Sequence, residues 1–232
     1  MSAAAVWVVD LALSQAGLER CASILDETER ARAARFVRGA DRVRFVASHA
    51  ALRFLLATRL TCAPGDIRFA MGAGGKPELI GGAGENLAFN LSHSGDRALI
   101  GITAGDPIGV DVEAVRPLPD AERIARTHFA ADEAAALAAQ PPDTREVTFF
   151  GLWTRKEATV KALGTGLSLP LDRFSVTVPP APPRLLHGSL DGGWTFATLD
   201  LGPAYAGTVA VRTAHATIAC RPLAADWADR LG

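Results

Sequence analysis

Cysteine is scarce. Cys21, Cys62 and Cys220 are the only three in 232 residues, and they stand at no spacing that suits a metal-ligand set. That argues against a zinc site and for a reducing compartment, the cytoplasm. Net charge is equally small, −1 by formal count, which argues against a general role on nucleic acid or on a membrane surface. No uninterrupted apolar run is long enough to cross a bilayer. The opening stretch, MSAAAVWVVDLAL, lacks a basic segment and contains Asp10, so it reads as a first strand rather than a signal peptide. No repeat of solenoid period is present. What the chain has in quantity is apolar residues, 49% of the total, enough for a sizeable core in one large domain or two small ones.

Within that frame the stretch Ile108-Gly109-Val110-Asp111-Val112-Glu113 alternates apolar and other residues, the period of a strand. Asp111 and Glu113 then project from one face, roughly 7 Å apart by strand rise. Two carboxylates on one face repel each other unless something neutralises them, and a hard divalent cation is one answer. A half-exposed strand with an acidic outer face is the other.

Residues 5–9 read as a strand. Asp26 caps a helix running to about Val37, with Glu29 as its capping-box partner. A longer helix follows over about 40–60, with Val43, Val46, Ala50 and Phe54 on its buried stripe. Six arginines between positions 30 and 44, Arg32 and Arg44 among them, form a local basic patch that suits an anionic ligand. Residues 66–70 read as a strand. The glycine-rich Gly72–Pro77, with Lys76 inside it, fits neither the P-loop nor the dinucleotide spacing. A strand over 87–91 leads to Ser92-His93-Ser94, read as a polar turn at its tip, and a strand over 97–103 follows. His93 there is able to donate to a phosphate oxygen.

Two short helices are expected at 120–127 and 131–139, with Pro141-Pro142 ending the second. A strong helix over 144–163 closes at Gly164. Phe150, Trp153, Glu157 and Lys161 share one stripe of it, with Trp153 expected to pack the helix against the acidic strand. Lys156 points about 100° away from Glu157. Taken alone, Glu157 and Lys161 are an ordinary surface pair worth about 0.3–0.5 kcal/mol. The rest reads as β structure, at 173–178, 194–200, 207–213 and 215–220, with a proline-rich connection at 179–183. The expected fold class is α+β. Two similar α/β lobes, 1–104 and 105–232, are related by a pseudo-twofold, each with a mainly antiparallel sheet on a long helix. The ligand site falls at their junction.

The ordered set Lys76-Pro77, Ser92-His93-Ser94, Gly109-x-Asp111-x-Glu113 and Trp153-x-x-Lys156-Glu157-Ala158-x-x-Lys161 resembles the longer, pseudo-dimeric (Sfp-type) 4′-phosphopantetheinyl transferases. The similarity runs from about Arg35-Phe36 and Asp41 to Phe174, well over half the chain. It implies transfer of the phosphopantetheine arm of coenzyme A to a carrier-protein serine, releasing 3′,5′-ADP. It implies Mg²⁺ on Asp111, Glu113 and Glu157, with the choice between Mg²⁺ and Mn²⁺ left open. Glu157, Lys161 and Asp111 would be the catalytic residues. Arg32, Arg44, Lys76, Ser92, His93, Lys156 and Lys161 would contact coenzyme A. Glu29 departs from the family, falling where relatives often carry a lysine.

The implied partners are acyl and peptidyl carrier proteins of polyketide, non-ribosomal peptide or fatty-acid synthases, met by a monomer. Arg116, Arg123, Arg126 and apolar residues near Phe129 are the candidate docking surface. Two other readings use the same residues: another Mg²⁺-dependent phosphotransferase or phosphohydrolase, and a non-catalytic binder of coenzyme A or of carriers.

Overall fold

The computed structural model describes residues 2–81, 86–188, 190 and 192–231. The chain opens with β1 (Ser2–Asp10), α1 (Gln15–Ser23), α2 (Glu27–Ala34) and α3 (Gly39–Leu60). A short hairpin of β2 (Phe69–Met71) and β3 (Pro77–Leu79) leads to a meander of β4 (Ala88–Ser94), β5 (Arg97–Thr103) and β6 (Ile108–Ala114). Then come α4 (Ala121–His128), α5 (Ala131–Ala138) and α6 (Pro142–Leu163). The remainder is β7 (Phe174–Val176), β8 (Leu185–Gly188), β9 (Thr195–Thr198), β10 (Tyr205–Val211) and β11 (Ala216–Pro222).

The chain is α+β, with two sheets stacked between two long helices. The first sheet has the order β11-β1-β5-β4 and the second β6-β10-β9. Their pairings are antiparallel except β1 with β11, which run parallel with Ser2 opposite Ala216. The last strand of the described chain thus completes the first sheet. On one side Val9, Ile100 and Ile102 pack under α3 with Phe45, Ala50 and Leu56. On the other side Ala4, Val6 and Leu99 meet Ile108, Val110, Val112 and Val209 of the second sheet. The far face of that sheet lies on α6 through Ala158, Ala162 and Ala210. Strand β6 is therefore covered on both faces, so its alternation separates two burial environments rather than core from solvent.

Several boundaries differ from the sequence reading for local reasons. Helix α2 stops at Ala34 because Phe36 turns inward, its ring centroid 5.4 Å from that of Phe45. Pro142 does not end a helix but opens α6, at the first position, where a missing N–H costs nothing. Helix α1 was not anticipated; the Ser14 hydroxyl accepts from Gly17 N at 3.1 Å and caps it. His93 lies within β4, opposite Ala98, and the turn begins beyond Ser94. The tip is Gly95, whose φ of 55° is the left-handed conformation that glycine adopts freely.

A buried charge cluster ties α2 to α3. Arg53 is fully buried, donating to Glu29 Oε2 at 2.7 Å and Asp26 Oδ2 at 2.6 Å. It also donates to the carbonyls of Pro64 and Ile67. Removing one member of such a set leaves the others buried without compensation. Arg53→Leu is expected to lower the unfolding free energy by about 3–5 kcal/mol, read from urea denaturation. A loss under about 1 kcal/mol would show that the cluster is not structural.

Candidate active site

Strand β4 faces the free edge of β6 with Asn90, Ser92 and Ser94, three polar side chains at period two. Asn90 Oδ1 accepts from Val110 N at 2.8 Å, Ser92 Oγ from Val112 N at 3.3 Å, and Ser94 Oγ from Ala114 N at 3.1 Å. The two serines each donate onward to a carboxylate. Ser92 Oγ lies 2.9 Å from Asp111 Oδ1, and Ser94 Oγ lies 2.9 Å from Glu113 Oε2. The strand alternation that places Asp111 and Glu113 on one face is thus secured by hydroxyls of the neighbouring half.

Helix α6 brings Glu157 and Lys161 to the same face. Lys161 Nζ sits 2.5 Å from Asp111 Oδ1 and 3.1 Å from Ser92 Oγ. Close approach of helix and strand depends on Gly109. A Cβ there would fall 1.9 Å from the Ala158 carbonyl oxygen and 2.4 Å from Ala162 N. Trp153 does not press α6 onto this strand, as the stripe suggested. Its ring packs on Phe129 and Phe149, at 6.0 and 5.8 Å between centroids. The small residues Gly109, Ala158, Ala162 and Ala210 make the helix–strand contact instead.

The three carboxyl groups share a charge problem. Burial raises the pKa of Asp111 first, opposed by Lys161 and by hydrogen bonds from Lys161, Ser92 and Val112. Burial, then the charge of Asp111, raises Glu113 and Glu157 as well. Asp111 Oδ2 is buried without a hydrogen-bond partner. An orphan carboxylate oxygen beside two further carboxylates fits an oxygen-seeking cation of the Mg²⁺ type. The side chains as they stand do not form a closed cage. Among the described residues, no group of three or more His, Cys, Asp or Glu is arranged to hold a metal ion. Lys161 supplies the nearest cation.

A cavity of about 630 Å³ opens beside this cluster, lined by Lys76, Asn90, His128, Trp153, Glu157 and Lys161 among others. Lys76 is half-buried, and its Nζ donates to the Ile108 and Lys161 carbonyls at 3.0 and 2.9 Å. Burial pulls its pKa down to about 8, with Glu78 opposing. It joins the glycine-rich loop to the ends of β6 and α6. His93 is exposed. Dehydration by its surroundings lowers its pKa, and the charges of His49, Lys161, Arg44 and Arg32 lower it further. Arg44 donates to Asp96 Oδ1 through Nε and Nη2, at 3.2 and 3.1 Å, and Arg32 lies 5.3 Å from the Phe45 ring centroid.

Lys156 requires a correction. It was expected among the coenzyme contacts, but it is fully buried on another side of α6. Its Nζ donates to Glu133 Oε2 at 2.5 Å and to the Phe174 carbonyl at 2.6 Å. It anchors α5 and β7 to α6 and is not placed to reach a ligand. Phe129 is also buried, at 3% exposure, so it offers no surface to a partner. Sequence reasoning missed Asn90 and the part Ser94 plays in holding Glu113. The period-two run Asn90-x-Ser92-x-Ser94 was the available signal for both.

Comparison with known proteins fits this geometry. Residues 107–214 match the 4′-phosphopantetheinyl transferase superfamily model, and residues 12–104 match the model of a 4′-phosphopantetheinyl transferase N-terminal region. The 4′-phosphopantetheinyl transferase HetI of Nostoc sp. is 35% identical over 78% of this chain and 77% of its own length. The chain belongs to the 4′-phosphopantetheinyl transferase family. Sfp of Bacillus subtilis, another such transferase, is 34% identical over 72% of the chain and 73% of its own length. The Synechocystis sp. protein slr0495 is 39% identical over 63% of the chain, and that match spans 59% of slr0495. As a 4′-phosphopantetheinyl transferase the chain is an enzyme that moves phosphopantetheine from coenzyme A to carrier proteins.

Within this transferase, the approach of α6 to β6 sets the distance between Glu157, Lys161 and Asp111. Gly109→Ala is expected to cost about 3 kcal/mol or more by overpacking and to lower kcat, measured by denaturation and by turnover on one carrier. Unchanged stability and turnover would show that the contact does not govern the site.

Proposed function

We propose that the cleft bounded by β4, β6 and α6 is where the transfer takes place, and that Asp111, Glu113 and Glu157 hold a Mg²⁺ ion there. The observation that carries this reading is the buried, unpartnered Oδ2 of Asp111, beside two more carboxyl groups whose pKa values burial, and then the charge of Asp111, raises. When bound, the ion would neutralise charge on the pyrophosphate and on the leaving ADP oxygen. Mn²⁺, which takes the same oxygen ligands, would serve in its place.

The chain's own residues do the remaining work. Lys161, salt-bridged to Asp111, stands to share the leaving group's charge. His93, Arg44 and Arg32 receive the 3′-phosphate of coenzyme A, Ser92 fixes Asp111, and Lys76 shapes the wall of the nucleotide cavity. The carrier serine oxygen forms the new P–O bond, the bond to 3′,5′-ADP breaks, and the serine proton passes through a water to Glu157. The partners we propose are carrier proteins of polyketide, non-ribosomal peptide or fatty-acid synthases, modified in the cytoplasm by a monomer. We divide the lobes at 1–104 and 105–232, where the two family matches separate, with β11 and the segment around Trp227 crossing back to pack on the first lobe.

Incubation with coenzyme A, Mg²⁺ and a panel of apo carriers, followed by intact mass, is expected to show a gain of about 340 Da, the mass of the transferred arm. No gain on any carrier would sink the assignment. A chelator is expected to stop the reaction and excess Mg²⁺ to restore it. Glu157→Gln and Asp111→Asn are each expected to reduce kcat by about 100-fold or more, and near-normal turnover of either at saturating Mg²⁺ would remove it from the site.

For the carrier surface we look to Arg123 and Arg126. Both are exposed, each beside an acid of its own helix region, Asp120 and Glu122. Reversing the two arginines to Glu is expected to raise KM for an acidic carrier about tenfold at low salt while leaving KM for coenzyme A unaltered. Equal effects on the two substrates would place carrier docking elsewhere.

A further inference from the structure

Glu29 looks misplaced: a carboxylate near a pocket assigned to a phosphate. Its surroundings change its meaning. It is buried, at 7% exposure, and both of its oxygens are engaged. Oε2 accepts from Arg53 Nε at 2.7 Å and from Asp26 N at 3.1 Å. Oε1 meets His49 Nδ1 at 3.0 Å. Burial opposes ionisation of Glu29, but the His49 hydrogen bond and the Arg53 charge outweigh it and hold the carboxyl below its usual range.

An ionised carboxylate only accepts hydrogen bonds, so Nδ1 of His49 carries the proton in that contact. The other ring nitrogen, Nε2, forms no hydrogen bond among the described residues. The ring is stacked on Phe45, 3.9 Å between centroids, and its side chain is 18% exposed. Phe45 also carries the Arg32 guanidinium, 5.3 Å from its centroid. His49 and Arg32 thus share one aromatic ring, Arg44 directly precedes Phe45 in α3, and the charges of all three, with that of Lys161, lower the pKa of His93. Like charges gathered around one ring are costly unless an anion joins them.

Glu29 does not face that pocket as a bare negative charge. It spends its charge on Arg53 and on the near edge of His49, which leaves the imidazole as the group turned outward. We propose that His49, oriented by the positioning residue Glu29 and binding as the imidazolium, is a specificity-determining residue for the 3′-phosphate of coenzyme A, donating through its Nε2–H beside His93, Arg32 and Arg44. This rests on the coenzyme reading of the cleft given above.

The test is titration calorimetry of the whole chain with adenosine 3′,5′-bisphosphate and with ADP, which lacks the 3′-phosphate. It is paired with turnover on coenzyme A and on 3′-dephospho-coenzyme A. The native protein is expected to prefer the 3′-phosphorylated ligand in both assays. His49→Ala is expected to erode that preference by about tenfold, the size of one hydrogen bond to a charged group. The loss should fall on Kd and KM for the 3′-phosphorylated ligand rather than on kcat, and His49→Arg should recover part of it. Should His49→Ala unfold in a thermal melt, His49→Gln, which retains an amide for Glu29 but no charge, carries the same comparison. A preference unchanged in the variant, or an equal loss on both ligands, overturns the role of His49. Failure of the native protein to bind either nucleotide overturns the coenzyme reading instead, and His49 with it.

Discussion

A strand edge buried between two halves of a protein must find partners for its N–H groups, because leaving them unsatisfied costs as much as losing the hydrogen bonds outright. Strand β6 gives one edge to β10 and has no strand on the other. Asn90, Ser92 and Ser94 fill that need with side chains, rung by rung, at Val110, Val112 and Ala114. A hydroxyl that accepts from a backbone N–H still has a proton to give. Ser92 and Ser94 give theirs to Asp111 and Glu113. The structural requirement of joining two sheets and the chemical requirement of aiming two carboxylates are therefore met by the same atoms.

The second constraint is steric. Acidic side chains on β6 become an active site only if α6 lies close enough to add Glu157 and Lys161. The distance is set by residues with little or no side chain: Gly109 on the strand, and Ala158 and Ala162 on the helix. Larger aromatic residues of α6 face the other way, where Phe149 and Trp153 join the cluster around Phe129. The buried Lys156–Glu133 pair fixes the helix on that second side. Helix α6 is thus held from two directions by different chemistry, and its charged stripe is left facing the cleft.

Much of this was legible in the sequence, and the parts that were not have physical causes. Alternation along 108–113 identified a strand and paired Asp111 with Glu113, because period two is a local property. The same alternation gave no warning that both faces are buried, which depends on strands that come before it and on a helix that comes after. Capping by Asp26 and Glu29 was readable for the same local reason. That Glu29 also holds Arg53 and His49 was not, since those partners come from another helix. Lys156 was misjudged because a helical angle tells which way a side chain leaves the axis, not whether core or solvent lies there. His93 was placed on a turn because Ser, His and Ser look like turn chemistry; in a strand that bonds its neighbour through side chains, the two serines are what the strand requires, and His93 falls between them on the other face.

The parallel pairing of β1 with β11 has a consequence for how the molecule is made. Ser2 and Ala216 are neighbours in space, so the first sheet is bounded by a contact that spans nearly the whole described chain. Contacts of such sequence separation close late, because loop entropy opposes them until much else is in place. As the chain leaves the ribosome, β1 emerges well before β11, so one of its sides lacks its eventual neighbour for that interval, an exposed strand edge of the kind prone to pairing with other chains. The first half of this transferase is thus committed to wait for the second, and its quality in the cell depends on what shields β1 during that interval.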